Sequence, residues 1–471
     1  MAKPHNLLLA YYGDDFTGST DALEFLSRAG IKTVLFIQAP APERLARYEG
    51  LQAIGVAGMT RAMAPLAMEH ELLSAFKALK KLGAPHVHYK VCSTFDSSPH
   101  IGSIGKAADV GGTVFNAPFI PLLVAAPALG RYCAFGNLFA RMGIGSQGKI
   151  YRLDRHPSMS KHPVTPADES DLRLHLAKQT PQSVGLIDIV TVASGKEDIN
   201  EKLQIELAEG KQVILFDTLT EDHLLPIATV IDSYAKHDQP LFSIGSSGIE
   251  MALGKYWTEK RITEPKKSWQ PAGRAQSMLV VSGSCSPVTE KQIAYALTHG
   301  FAAIAVDTVT IAGKMAASTI AVADIIEKYI NDVVNLIQNG TPVIVHTSLG
   351  ANDPRIEKTY QALAERAMSE QDIPGKTAEL YGRVLGGIVI GVANQITLQR
   401  LVIAGGDTSS FVARAMGIEA VEMMAPVSPG APLCKAYAPG SAADRLEVNF
   451  KGGQVGSEDY FITVLEGKSI S

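Results

Sequence analysis

Short apolar runs of strand length alternate along this chain with stretches whose apolar positions recur at helical spacing. The first run, residues 6–12, ends abruptly in Gly13-Asp-Asp-Phe-Thr-Gly-Ser-Thr-Asp21. Asp21 is expected to open a helix over 22–29, stopped by Gly30. The rhythm continues with strands at 32–37 and 53–57, a helix over 69–82 and a strand at 86–91. Residues 99–166 then break it, being rich in Gly, Pro and small side chains with Phe, Leu and Tyr interspersed. An ordered loop region covering the substrate is expected there.

Alternation resumes with a helix over 168–179 and strands at 184–190, 212–216 and 241–244, the last running into Gly245-Ser-Ser-Gly248. Residues 258–276, with Lys260, Pro265, Pro271 and Gly273, hold no sustained apolar period and read as a linker between domains 1–257 and 277–471. Beyond it the pattern restarts: strands at 278–281, 302–306, 342–346, 401–404 and 445–449, with helices over 289–298, 320–339 and 385–395. Strand alternating with helix predicts an α/β protein of two domains, each a mainly parallel sheet flanked by helices, with the active site in the cleft between them.

Composition narrows the class. A chain of 471 residues with 46% hydrophobic and 19% charged residues suits a globular enzyme. A net charge of −4 gives no reason to expect nucleic acid or an anionic membrane as a partner, and no apolar run is long enough to span a bilayer. Cys92, Cys133, Cys285 and Cys434 lie far apart, which argues against a zinc site or disulfide framework and fits a reducing compartment. The opening Met-Ala-Lys-Pro-His-Asn has no apolar signal region, so a cytoplasmic protein is expected.

The chemistry sits at strand ends. Adjacent carboxylates, Asp14 and Asp15, follow the first strand; one can cap the next helix, but capping does not easily explain both. Arg61 follows the third strand, and Lys90, Ser93, Thr94 and Asp96 lie at or beyond the end of the fourth. In a parallel sheet these face one side, and cations beside hydroxyls and carboxylates suit a small anionic substrate such as a sugar acid. The second half has three strand-to-helix loops of another kind: Ser282-Gly-Ser-Cys-Ser286, Gly405-Gly-Asp-Thr-Ser409 and Lys451-Gly-Gly-Gln-Val-Gly456. Glycine lets backbone approach a phosphate, and helix N-termini favour anions, so the trio points towards a nucleotide.

Other motifs carry less. GxxxxGK[ST] and GxSxG are absent, and the single GxGxxG, residues 143–148, has no strand before it, which argues against a nicotinamide or flavin enzyme. His86-Val-His88 has no third ligand beside it and reads as two satisfied histidines; no metal ligands are expected from the protein. His156 and His162 each precede a proline in the loop region and are expected to be structural.

Taken together, the ordered motifs resemble the four-carbon acid sugar kinase family. Gly13 to Asp21 is similar to its signature opening; the Lys90–Asp96 loop, Gly245–Gly248, Ser282–Ser286, Gly405–Ser409, Pro429-Gly-Ala-Pro432 and Lys451–Ser457 match in order along nearly the whole chain. Where many members carry Lys-x-Asp-Ser-Thr, this chain has Cys92 in the Asp place and an acid later, at Asp96. The resemblance implies an acid-sugar-binding N-terminal domain and an ATP-binding C-terminal one, substrates such as threonate, erythronate, 3-oxo-tetronate or 3-oxo-isoapionate, and γ-phosphate transfer to a hydroxyl. Asp14 or Asp15 is then the base or orients the hydroxyl, while Arg61, Lys90, Ser93, Thr94 and Asp96 hold the sugar acid. Ser282, Ser284, Gly405, Gly406, Asp407, Thr408 and Gly453 cradle ATP, with Mg²⁺ bridging its phosphates. A homodimer is expected as the commonest symmetric assembly. The alternatives are a sensor that binds a nucleotide and an acid without reacting them, and a nucleotide-dependent ligase.

Overall fold

The computed structural model describes residues 7–142, 148–162, 164–314, 319–365 and 373–468. The chain divides into two compact units, Met1–Lys267 and Ser268–Ser471. In the first, the strands of the main sheet are β1 (Leu9–Gly13), β2 (Thr33–Phe36), β3 (Ala53–Ala57), β4 (His86–Lys90), β5 (Ile120–Leu123), β9 (Val184–Ile187), β10 (Val213–Phe216) and β11 (Leu241–Gly245). They pair in the order β2-β3-β1-β4-β11-β5-β10-β9, all parallel. Nearly every residue of these strands is buried, as expected for a sheet covered by helices on both faces. A separate antiparallel sheet of β6 (Arg131–Ala134), β7 (Asn137–Arg141) and β8 (Ile150–Arg152) is inserted after β5.

The second unit holds β12 (Met278–Ser282), β13 (Ala302–Ala305), β14 (Val343–His346), β15 (Arg400–Ala404), β16 (Ala420–Ala425), β17 (Leu433–Tyr437) and β18 (Glu447–Lys451). From β13 through β14, β12 and β15 to β18 the pairing is parallel; β17 and β16 continue it antiparallel. Its core, with Val280, Ile344, Val402 and Phe461, lies under the helices Pro287–Leu297 and Tyr460–Glu466.

Both units reverse direction at their first strand. β1 has β3 on one side and β4 on the other, and β12 has β14 and β15. Helices therefore leave β1 and its neighbours on opposite faces, opening a crevice at the strands' carboxyl ends where ligands bind in such sheets.

Several expectations need correction. The first helix is Phe16–Arg28, capped by Asp15, not a helix opened by Asp21. Residues 99–166 are not one long loop: the helix Ile104–Phe115 and β5 complete another strand–helix unit of the main sheet. Small residues on that helix are packing devices, since a Cβ on Gly111 would lie 2.0 Å from the Phe242 ring. The last parallel strand is Glu447–Lys451, two residues beyond expectation, and the helix expected at 168–179 is only Leu172–Ala177. The helix expected at 385–395 is the end of Ile373–Gln395. The GxGxxG motif falls largely outside the described residues.

Candidate active site

The acid pair is joined by one guanidinium. Arg61 donates from Nη2 and Nε to the two oxygens of Asp14, at 2.8 and 3.1 Å, and from Nη1 to Asp15 Oδ2 at 2.8 Å. The backbone sets this up: Asp14 N–H donates to Lys90 O, and Arg61 N–H donates to Asp14 O, so the ends of β1, β3 and β4 are tied at one point. Asp15 has a second task, because Oδ1 accepts from Gly18 N–H at 2.7 Å and Oδ2 from Thr17 Oγ1 at 2.8 Å. It is the N-cap of Phe16–Arg28. Asp14 is engaged by Arg61 alone among side-chain donors in the described residues. Burial pushes its pKa up, against the pull of Arg61. For Arg61 the same burial is outweighed by the two carboxylates, which hold its pKa well above the usual range.

Lys90 approaches the same point from β4. A Cβ added at Gly18 would lie 2.7 Å from the capping Asp15 Oδ1, with Lys90 Nζ and Arg61 Nη2 in ordinary contact at 3.5 and 3.7 Å, so glycine there makes room for the cap beside the two cations. Lys90 is buried, donates to Val91 O at 2.9 Å, and has Asp21 Oδ2 at 3.7 Å. Asp21 also takes a short hydrogen bond from Ser247 Oγ. Beneath lie His88 and Glu250, both fully buried, with Nε2 and Oε1 3.6 Å apart. Burial drives His88 down to about 3 and Glu250 up to about 8, so both are mainly uncharged at neutral pH. His88 Nδ1 meets Ser243 Oγ at 3.0 Å, but Nε2 has no partner, so only half of the satisfied-histidine expectation holds. His86 pairs with Asp232 at 3.0 Å.

The loop after β4 supplies Ser93 and Thr94, both buried, and Asp96, whose Oδ1 is buried without a hydrogen-bond partner. Cys92 Sγ lies 3.0 Å from Thr94 Oγ1. Burial, reinforced by the charge of Asp96, pushes its thiol up to about 12, so it acts as a neutral group. His156 and His162 accept backbone N–H groups of their own turns, as expected of structural histidines.

In the second unit the three glycine loops are neighbours. Gly283 N–H donates to Ala404 O at 3.0 Å and Gly405 N–H to Lys451 O at 2.9 Å, so the loops leave β12, β15 and β18 side by side. A Cβ on Gly283 would lie 2.1 Å from Thr408 Oγ1, and one on Gly453 3.1 Å from Ser284 Oγ. Gly405 has φ +122°, and Gly406 begins the helix Gly406–Ala415. Ser282, Ser284 and Thr408 are buried in this cradle; the side chain of Asp407 lies outside the described residues. Thr289 Oγ1 ties the loops together, touching Ser284 Oγ at 3.0 Å, Gly453 O at 3.2 Å and Lys451 Nζ at 3.1 Å. Burial alone brings the Lys451 ammonium down to about 7. A cradle lined with N–H groups, hydroxyls and one lysine fits a polyphosphate. No group of three or more His, Cys, Asp and Glu able to hold a metal ion occurs among the described residues.

Comparison with known proteins agrees with this division. A family model of a sugar-binding N-terminal domain matches residues 9–253, and one of a nucleotide-binding C-terminal domain matches 279–461. A 3-oxo-isoapionate kinase of Paraburkholderia graminis is 40% identical over 469 residues, spanning 99% of this chain and 96% of the relative. The chain belongs to the four-carbon acid sugar kinase family. A second relative of this kinase family, the 3-oxo-tetronate kinase of Pectobacterium atrosepticum, is 28% identical over 96% of this chain and 97% of its own. Among solved structures, a Salmonella typhimurium LT2 protein named as a tRNA synthase superposes with TM-score 0.72 at 25% identity, covering 97% of this chain and 98% of its own. A Haemophilus influenzae protein of family DUF1537 shares the fold at TM-score 0.66 and 22% identity, covering 98% and 100%.

Sequence reasoning missed Asp21, Ser247, Glu250 and Thr289 as parts of these sites. Asp21 and Ser247 stood inside quoted motifs, but their contact spans 226 residues and no spacing rule shows it. Thr289 lies in the first turn of the helix Pro287–Leu297 and carries no motif of its own.

Proposed function

We propose that the chain phosphorylates a hydroxyl of a small 3-oxo acid sugar at the expense of ATP, with 3-oxo-isoapionate as the leading substrate and 3-oxo-tetronate next. The observation that carries this is 40% identity over 99% of the chain to a 3-oxo-isoapionate kinase. The first unit takes the sugar and the second the nucleotide, as the two family matches suggest.

In this reading Asp14 is the catalytic carboxylate. Arg61 fixes it without using every lone pair, and its raised pKa makes it a better proton acceptor than an ordinary surface aspartate. The sugar hydroxyl attacks the γ-phosphorus, the bond to the β,γ-bridging oxygen breaks, ADP leaves, and the hydroxyl proton passes to Asp14. Asp15 holds the helix start and the far side of Arg61. Lys90, Ser93, Thr94 and Asp96 line the sugar, and Arg61 adds charge from the site's edge, its side chain 25% exposed. Ser282, Ser284, Gly405, Gly406, Thr408 and Gly453 cradle the phosphates, and Asp407 joins them. Mg²⁺ would enter with ATP and would neutralise phosphate charge there.

The enzyme is proposed to be a cytoplasmic homodimer. No disulfide joins Cys92, Cys133, Cys285 and Cys434, which accords with a reducing compartment, and no helix among the described residues is long and apolar enough to cross a membrane.

ADP release with ATP, Mg²⁺ and a panel of 3-oxo-isoapionate, 3-oxo-tetronate, threonate and erythronate tests the reading. Acid-stimulated ADP is the expected outcome. Binding without ADP release would instead make the protein a sensor, and AMP as product a ligase.

A further inference from the structure

The acid-pair site is poorly charged for an acid. Arg61 and Lys90 stand against three carboxylates, Asp14, Asp15 and Asp21. A sugar acid brings another negative charge, so its carboxylate needs a cation outside this set.

Arg131 supplies one. It opens β6, just past the turn Pro127–Leu129 that follows β5. Ser246 Oγ, after β11, donates to Val124 O at 2.6 Å, and Ala126 and Arg131 exchange backbone hydrogen bonds at 3.1 and 3.2 Å. Arg131 therefore stands at the carboxyl edge of the main sheet, the edge where β1, β4 and β11 also end.

Its side chain is held in an unusual way. The residue is only 6% exposed, and Nη1 donates to the carbonyls of Leu129, Gly130 and Arg141 at 3.0, 3.4 and 3.1 Å. Nε is buried with no hydrogen-bond partner, and the guanidinium's hydrogen bonds among the described residues all go to carbonyls, none to a carboxylate. With Nη1 spent on the three carbonyls, the Nε–Nη2 edge keeps its donors unused, and such an edge accepts a carboxylate in two parallel hydrogen bonds. The charges of Asp96, on the loop after β4, and of Asp21 act on it without pairing with it. Asp96 itself has a buried, unpartnered Oδ1. A buried cation without a counter-charge is costly, and so is a buried acceptor without a donor; one polyhydroxy acid relieves both.

We propose that Arg131 is the clamp for the substrate carboxylate, taking the acid on its Nε–Nη2 edge while Asp96 receives a sugar hydroxyl. This rests on the acid sugar reading above. It explains why the small three-stranded sheet is inserted directly after β5: β6 and β7 supply Arg131 and, through Arg141 O, part of its anchor.

Arg131→Gln and Arg131→Lys, compared with wild type by calorimetric titration of 3-oxo-isoapionate and D-erythronate and by ADP release, test the clamp. Acid affinity should fall about tenfold or more in both variants, since lysine cannot reproduce a bidentate pair. The KM for ATP should stay unchanged, and erythritol, which lacks the carboxylate, should be handled alike by all three proteins. Equal acid affinity in wild type and Arg131→Gln would overturn the clamp and leave the kinase reading intact. Acid binding that depends on Arg131, with no ADP release from wild type, would overturn the kinase reading and leave the clamp standing. Should Arg131→Gln not fold, Arg131→Lys carries the same comparison with the charge retained, and wild type that binds neither acid would overturn both.

Discussion

Arg61 grips Asp14 by both carboxylate oxygens, at 2.8 and 3.1 Å, across 47 residues of sequence. Its third donor reaches Asp15, so one guanidinium distinguishes two adjacent acids. Asp14 keeps lone pairs that Arg61 does not use, whereas Asp15 is occupied by Arg61, Gly18 and Thr17. The difference yields separate expectations for the two residues.

Asp14→Asn should lower kcat by about 10²–10⁴, the usual worth of a positioned proton acceptor. Its ATP affinity and thermal unfolding should change little. Asp15→Ala should instead cost about 0.5–2 kcal/mol of stability through the lost helix cap. Steady-state ADP release and denaturant unfolding of both variants check this; the assignment fails if Asp14→Asn retains wild-type turnover.

Arg61→Lys should be far from conservative. Lysine cannot donate to both oxygens of Asp14 and to Asp15 together, as the guanidinium does. Turnover should drop about tenfold or more, because Asp14 loses its fixed orientation. The loss should appear in kcat rather than in the KM for ATP, which steady-state kinetics separates.

Glu250 makes stability depend on pH. Its folded pKa of about 8 lies above the ordinary glutamate value of 4.5, so between those values the native state keeps a proton that the unfolded chain has released. Stability contributed by this group is complete below about 4.5 and is lost as pH rises towards 8. Glu250→Gln should match wild type near pH 5 and melt higher near pH 8.5, since each pKa unit is worth about 1.4 kcal/mol. Melting curves across that range read the slope. Identical pH profiles for the two proteins would show that Glu250 titrates normally.

Lys451 has the opposite shift, down to about 7. A polyphosphate beside it favours the ammonium, so ATP binding near pH 8 should draw in a proton, and affinity should weaken as pH rises through that range. Calorimetric titrations in buffers of different ionisation enthalpy count the proton. Lys451→Met should remove the uptake.

Gly283→Ala tests the packing of the nucleotide loops. Its Cβ would meet Thr408 Oγ1 at 2.1 Å and Cγ2 at 2.8 Å. Overpacking of this kind costs about 1–3 kcal/mol, and ATP affinity should fall with it. Adding Thr408→Ala should recover part of the stability, a non-additivity that unfolding experiments on the double variant measure.

Much of this architecture was legible without coordinates. Strands ending in Gly-Asp-Asp, Gly-Ser-Ser-Gly and Gly-Gly-Asp-Thr could be placed because apolar runs stop where glycine and polar residues begin. Residues 99–166 were misread because the helix Ile104–Phe115 contains Gly105, Gly111 and Gly112, which lower local helix propensity; packing against Phe242 and Gln179 overrides it. The start of the first helix was misplaced for a similar reason, as Gly18 looks like loop until Asp15 is seen capping it.

By itself, the sequence determined which residue types stand at which strand ends: two acids after β1, an arginine after β3, a lysine closing β4 and three glycine loops in the second half. Local periodicity and turn chemistry suffice for that, since each depends on a few neighbouring residues. Only the tertiary structure decided that Arg61 divides itself between Asp14 and Asp15, that Lys90 leans on Asp21, and that Arg131 stands unpaired at the same edge. These relationships depend on strand order, which brings β3 and β4 to either side of β1. Strand order is fixed by how helices pack across the whole sheet, and no local pattern encodes it.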